Sequence, residues 1–388
     1  MKLIRKIVSY GKEVLFKWIL CPVMSLLPTK DVILMESVPN LADSTYAVFE
    51  QMLKHRINTK YKFIWWLYEE SQYLPRIENV EYVRGGYNTL KLRYYECRAK
   101  CIISNNRFLL AHNNRQKSYY IVHGSPLKSV VGYYSLPKGI HYLLTGSEEM
   151  GKISVSELHA YHAQEVHLGL PRNDAFHRPP REIHDMFDID FDKMIVWYPT
   201  YRQHRTGHST AAVHAFPILH DTKEAEKLNA FAQANRMLIV IKPHPAQDLS
   251  FIKMQSLSHI RMISDQFFAE HQITSYEFVN ASAALITDYS SIYYDYLLRD
   301  HPIALTWEDI EEYRQDPGFS VDIEEYCKGA YKVYTTDQLI AFLKDVANGV
   351  DSLAELRNEA CHIANYSNDG KNAERVTDFI LKTSGVSV

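Results

Sequence analysis

"ALITDYSSIYYDYLL" (284–298) is the stretch on which the fold turns. An apolar run, Ala284 to Ile286, stops at Thr287-Asp288-Tyr289-Ser290-Ser291, and a segment with helical spacing follows, with Ile292 and Tyr296 one turn apart. A short apolar run closed by polar residues and followed by a helix is the repeating unit of a parallel sheet covered on both faces.

The same unit recurs on both sides of this stretch. Upstream stand "DVILMES" (31–37), "KFIWWLY" (62–68), "VEYVRG" (80–85), "AKCIISNN" (99–106), "SYYIVHG" (118–124), "HYLLTGS" (141–147) and "EVHLGLP" (165–171). A second series holds "KMIVWYPTYR" (193–202), "RMLIVIKPHP" (236–245), "HIRMIS" (259–264), "AALITDYS" (283–290), "HPIALTW" (301–307) and "AYKVYTT" (330–336). Helical patterns such as 222–235 and 336–349 lie between them. Two such series predict two doubly wound α/β domains. A chain of 388 residues is long enough for two cores. The polar stretch 176–190, with Pro179-Pro180, is the expected join. The expected division is 1–28, 29–185 and 186–388.

Composition narrows the class. With 46% hydrophobic and 23% charged residues the chain is globular. A net charge of −3, from 43 basic and 46 acidic residues, gives no electrostatic footprint for nucleic acid. Among the five cysteines only Cys97 and Cys101 are neighbours, a spacing that predicts neither a disulfide framework nor a metal site and suits a reducing compartment. Residues 1–28 differ from the rest. Lys2, Arg5, Lys6, Lys12 and Lys17 face one acid, Glu13, and the apolar residues fall close to helical spacing. Charges interrupt the run before the roughly 20 apolar residues of a spanning helix. The pattern predicts an amphipathic helix lying on an anionic membrane surface, with a helix packed on its own domain as the plainer alternative.

In open parallel sheets ligands bind at the carboxyl ends of the strands. Here those ends read "HGSP", "TGS", "GLPRND", "YPTYR", "KPHP" and "TDYSS", a collection suited to phosphate. His123 closes a strand and has the pKa range of a general base. Gly124 permits close approach, and Ser125-Pro126 is expected to open a helix whose N–H groups meet an anion beside Lys128. A capped turn with a structural histidine is the alternative. In "KPHP", prolines on both sides aim His244, and Lys242 adds positive charge. Arg202 suits bidentate phosphate binding. Arg172 reads as an anion ligand or as a turn residue paired with an acid. Ser290 and Ser291 are expected to cap the next helix and offer hydroxyls to phosphate. Asp288, repelled by phosphate, is expected to orient a hydroxyl, a ring nitrogen or the loop backbone. Asp295, one turn after Ser291, faces a ribose or solvent.

The order of "HGSPLK", "TGSEEM", "LGLPRND", "YPTYR", "KPHP", "ALITDYSSIYYDYLL" and "DGKNAERV" (369–376) resembles the CDP-glycerol glycerophosphotransferase family of teichoic acid and related polyol-phosphate polymers. The resemblance runs from about Ser104 to Val376. It implies a GT-B-like arrangement, with two Rossmann-like domains facing across a cleft and the last helix returning to the first. It implies peripheral, monotopic attachment to the cytoplasmic face of the cell membrane. It also implies His123 as base, His244 against phosphate charge, and Arg202, Ser290 and Ser291 on the donor phosphates. One departure stands out. Pro317-Gly318-Phe319 occupies the place of an Arg-Gly pair followed by an aromatic, which leaves ribitol or another polyol open beside glycerol.

The expected reaction moves a polyol phosphate from a CDP-activated donor to a hydroxyl of an undecaprenyl-linked glycan or polymer, releasing CMP. No cofactor is firmly implied beyond Mg2+ carried by the diphosphate. Two other readings stay open: a GT-B nucleotide-sugar glycosyltransferase, which fold alone does not separate, and an inactive membrane-bound scaffold of an envelope-assembly complex.

Overall fold

The computed structural model describes residues 16–67, 74–86, 89–200, 217–243 and 257–387. The chain divides into two compact units, one of Met1–His123, Tyr134–Asp174 and Asp369–Val388, the other of Gly124–Tyr133 and Ala175–Asn368. The sequence had suggested a single join at 185/186. Here the chain crosses at 174/175, residues 124–133 go with the second unit, and the C-terminal segment goes with the first.

The first unit is built on seven strands: β1 (Lys30–Glu36), β2 (Lys62–Leu67), β3 (Val80–Arg84), β4 (Ala99–Ser104), β5 (Lys117–Ile121), β6 (Tyr142–Thr145) and β7 (Gln164–His167). Their order is β3-β2-β1-β4-β5-β6-β7, and every neighbouring pair is parallel. Alternate residues explain why the strands are apolar throughout. Ile33, Met35, Phe63, Trp65, Tyr119 and Ile121 belong to one core layer, and Val32, Leu34, Ile64, Trp66 and Ile102 to the other. Helices Asp43–Lys54 and Asn372–Ser384 pack against each other, and Val48, Phe49, Met52, Val376 and Ile380 complete the first layer. Strand order reverses between β1 and β4, the crevice where such sheets take ligands.

The second unit holds six strands: β8 (Lys193–Trp197), β9 (Met237–Ile241), β10 (Ile260–Met262), β11 (Ala284–Thr287), β12 (Ile303–Thr306) and β13 (Tyr331–Val333). Their order is β10-β9-β8-β11-β12-β13, again all parallel, with the reversal between β8 and β11. Helices Thr222–Ala234 and Thr336–Asn348 cover one face. Asp221 caps the first by accepting from the Glu224 N–H, and Thr335 caps the second by accepting from the Gln338 N–H. Each expected apolar run is a strand, shortened at the polar residues that close it.

Of the segment 1–28, Phe16–Leu20 forms a π-helical turn and Cys21–Leu26 a short α-helix with Pro22 in its first turn. Among the described residues no helix is long and apolar enough to cross a membrane.

Candidate active site

In the first unit the polar residues gather beyond the ends of β1, β4 and β5. His123 stands two residues past β5, its side chain 52% exposed, with Nδ1 3.2 Å from Asp43 Oδ2. Asp43 opens the helix after β1 in a left-handed backbone conformation, φ +61°. Its carboxylate accepts from the Ser44 N–H at 2.5 Å and from Arg172 Nη1 at 2.8 Å. The same Nη1 donates to the His123 carbonyl at 2.5 Å. Burial alone would push the Asp43 carboxyl up, but Arg172 and His123 hold it well below the usual carboxylate range. An ionised Asp43 accepts a hydrogen bond from the Nδ1–H of His123, which leaves the Nε2 lone pair for a substrate hydroxyl. Of the two readings of Arg172, the one that pairs it with an acid holds: it is in a buried ion pair with Asp43.

Glu36, at the end of β1, is fully buried. One carboxylate oxygen accepts from the N–H groups of Asn105, Asn106 and Arg107 at 3.3, 3.2 and 3.0 Å. Burial raises its carboxyl to about 7, opposed by those N–H groups and by His123. Around it Glu36 Oε1, Thr45 Oγ1, Ser104 Oγ and both amide atoms of Asn105 are buried without a hydrogen-bond partner among the described residues. Buried polar atoms need partners, and hydroxyls of solvent or of a polyol supply both donors and acceptors.

Neither Asp43 nor Glu36 was singled out from the sequence. Glu36 carried a usable signal: "LMES" ends an apolar run on an acid and a serine, as "LITDYSS" does. Asp43 carried none, because its link to His123 joins segments far apart in the chain.

In the second unit the opening stretch lies at the reversal of strand order. Asp288 is fully buried and accepts from the Thr200 N–H at 2.9 and 3.0 Å and from the Tyr289 N–H at 2.6 Å. It thus ties the loop after β8 to the loop after β11, the backbone-orienting role read for it. Thr287 Oγ1 reinforces this by donating to the Tyr198 carbonyl at 2.6 Å. Ser290 and Ser291 are half-buried. The expected capping is absent: Ser291 makes no side-chain cap, and the helix is five residues long, Ile292–Tyr296. The neighbouring carbonyls of Ser290 and Ser291 instead receive the Tyr293 and Tyr294 N–H groups at 3.1 Å each.

Other readings change. Ser125 opens no helix; it is buried in an extended segment. That segment pairs antiparallel at Lys128 with Phe319. The Ser129 N–H donates to the Gly318 carbonyl at 3.0 Å, and the Ser320 N–H to the Leu127 carbonyl at 2.9 Å. Gly124 begins the segment half-buried, and Lys128 is exposed, with Asp288 near enough to attract its ammonium. Lys242 pairs with Asp265 at 3.0 Å. Asp295 is buried and accepts from Tyr276 Oη at 2.6 Å, so the solvent-facing alternative does not hold. Arg202 and His244 lie outside the described residues.

The Pro317-Gly318-Phe319 turn braces this site. Phe319 stacks on Tyr313 with centroids 5.5 Å apart, and Tyr313 stacks on Tyr289 of "TDYSS" at 4.0 Å. Tyr289 Oη donates to Asp309 at 2.9 Å.

Comparison with known proteins agrees with the motif order. The family model described as CDP-Glycerol:Poly(glycerophosphate) glycerophosphotransferase matches residues 19–382. A teichoic acid glycerol-phosphate primase of Bacillus subtilis (strain 168) is 24% identical over 256 residues, covering 61% of this chain and 62% of the primase. A teichoic acid poly(glycerol phosphate) polymerase of Bacillus spizizenii is 23% identical over 368 residues, covering 86% of this chain and 87% of that protein. Among solved structures, the wall teichoic acid polymerase TagF aligns with a TM-score of 0.73 at 20% identity over 99% of this chain and 98% of that one.

Proposed function

The chain belongs to the CDP-glycerol:poly(glycerophosphate) glycerophosphotransferase family, and from that premise we propose that it transfers glycerol phosphate from CDP-glycerol to a hydroxyl of a teichoic-acid-type acceptor, releasing CMP. The observation that carries the reaction is the Arg172–Asp43–His123 chain, with the half-exposed His123 imidazole at the sheet's ligand end.

In the proposed mechanism the acceptor hydroxyl donates to His123 Nε2. As its oxygen attacks the phosphorus bearing the glycerol, the proton passes to Nε2 and the P–O bond to CMP breaks. Asp43 stabilises the imidazolium that forms, and Arg172 keeps Asp43 ionised. Ser290 and Ser291 offer hydroxyls to the donor phosphates, with Lys242, Arg202 and His244 supplying positive charge. Most of the acceleration then comes from positioning and electrostatics, without a covalent enzyme intermediate. The unsatisfied polar atoms around Glu36 suit the hydroxyls of a polyol acceptor. The reaction requires a GT-B-like pairing of the two units that brings donor and acceptor together.

We also propose that the acceptor is lipid-linked and that the chain works on the cytoplasmic membrane surface. Ile19, Val23 and Leu26, spaced along one side of the first described helical segment, are 56%, 59% and 78% exposed. An apolar stripe left outward beside basic residues fits an interfacial segment.

Purified chain incubated with CDP-glycerol and a lipid-linked acceptor should release CMP. His123→Ala should lower kcat by about 10²–10⁴-fold; near-normal turnover in that variant overturns the assignment of the base. Release of a nucleoside diphosphate from a UDP-sugar would move the chain to sugar transfer.

A further inference from the structure

The geometry points to a second site, unrelated to the transfer reaction: a soft-metal site for a Zn2+-class cation formed by Cys21, Cys97 and His112. The two sulfurs and a ring nitrogen of His112 all lie within 4.8 Å of one another. A tetrahedral zinc with bonds of about 2.3 Å to sulfur and 2.0 Å to nitrogen sets its ligand atoms roughly 3.5–3.8 Å apart, so a closure of about 1 Å completes the set. Thiolate and imidazole together are the donors that select zinc over magnesium or calcium. Cys101, the neighbour of Cys97 in the sequence, points elsewhere into the first unit's core and is not one of the three. The ligands come from positions 21, 97 and 112, and no spacing motif in the sequence reveals them.

Two further observations favour a ligand here. His112 Nε2 is buried and makes no hydrogen bond among the described residues. The Glu96 carboxylate stands 3.7 Å from the same nitrogen, and its charge adds to the field that favours a cation there. The segment that carries Cys21 lies on helix Leu90–Arg98 without a deep anchor of its own. Helix Cys21–Leu26 buries no residue fully, and its Val23 and Leu26 side chains are exposed. Its polar ties to the unit are Arg115, which donates to the Ser25 and Leu27 carbonyls at 2.7 and 3.0 Å, and Arg98, which donates to the Pro28 carbonyl at 2.9 Å. A cation held jointly by Cys21 on this segment, Cys97 on helix Leu90–Arg98 and His112 after β4 staples the segment to the unit. Binding replaces the two thiol protons, which leave to solvent, with two metal–sulfur bonds, and no redox partner is needed.

The test is titration of the full-length, reduced chain with Zn2+ and with Co2+, following metal content after gel filtration and the thiolate-to-cobalt absorption band. One equivalent per chain is expected, with both thiols shielded from alkylation. Stoichiometric binding should be lost in Cys21→Ser, a half-exposed position where the fold is kept, and in His112→Gln. Thermal unfolding of each apo variant checks that the loss is not misfolding. Binding that survives in the Cys21→Ser/His112→Gln double variant overturns the site. So does its absence from the reduced wild-type chain, or a Cys21–Cys97 disulfide in its place.

Discussion

At the scale of single residues, two carboxyls near His123 are shifted in opposite directions. Asp43 is kept charged, so that it fixes the His123 tautomer. Asp43→Asn preserves the size and tolerates the left-handed backbone that Asp43 adopts, but it removes the charge. We expect kcat for CMP release to fall about 10²-fold or more with little change in donor KM. Arg172→Ala should act differently, stranding a buried carboxylate and costing about 3–5 kcal/mol of stability, measurable by urea unfolding. Glu36 is shifted the other way. Its carboxyl is raised from 4.5 to about 7, so the folded chain keeps a proton that the unfolded chain loses. Stability from this group is full below about pH 4.5 and is lost as pH rises through 7, with a ceiling of about 3 kcal/mol. Glu36→Gln should remove that slope, and comparing unfolding free energies at pH 5 and pH 8 for both proteins checks it.

At the scale of elements, strands were legible and loop chemistry was only partly so. Thirteen apolar runs became strands among the described residues, and the central ones, such as β1, β2, β9, β11 and β12, are buried on both faces, which hydrophobicity alone encodes. Ends of strands are different, because what a polar residue does there depends on partners brought by topology. Asp288 read correctly because its partner is the backbone of an adjacent loop. For Arg172 the acid-paired alternative holds, but the sequence does not name the acid, because Asp43 lies 129 positions away. Ser147 caps its own helix through the Met150 N–H, a local role for the serine of "TGS". The Pro317-Gly318-Phe319 departure reads in the sequence as a missing arginine, but in the fold it is an aromatic brace under "TDYSS". Phe319→Ala should therefore raise donor KM through Tyr289 and cost about 1–3 kcal/mol of stability, below the cost of a fully buried Phe. Steady-state kinetics and thermal unfolding of one preparation separate the two effects.

At the scale of the whole molecule, two of the motifs shared with the family turn out to fasten the C-terminal helix. Asp174 accepts from the N–H groups of Asn372 and Ala373 at 2.9 and 2.8 Å, capping helix Asn372–Ser384 from a distant segment. Gly169 has φ +84° with the Asn372 amide against it, so a Cβ there would overlap Asn372. Tyr119 Oη meets Thr383 Oγ1 at 2.6 Å along the same helix. Removing 369–388 strips Val376, Ile380 and Leu381 from the first unit's core. At about 1.5–3 kcal/mol for each buried side chain, that loss is comparable to the whole stability of a domain, and the truncated chain is expected to be insoluble or to lose cooperative unfolding by circular dichroism. At the other end, Val23→Glu with Leu26→Glu should abolish cosedimentation with anionic vesicles while leaving CMP release on a water-soluble acceptor unchanged. The position of the last helix also sets an order of events during synthesis. The first unit's seventh strand ends at His167, but the helix that completes its core comes only at Asn372–Ser384, after residues 175–368 of the second unit. At about 5–20 residues per second, the ribosome holds an unfinished first unit for roughly ten seconds or more after its last strand has emerged. A partly open sheet is thus a nascent-chain client for chaperones, and the unit whose strands are translated first becomes native after the other.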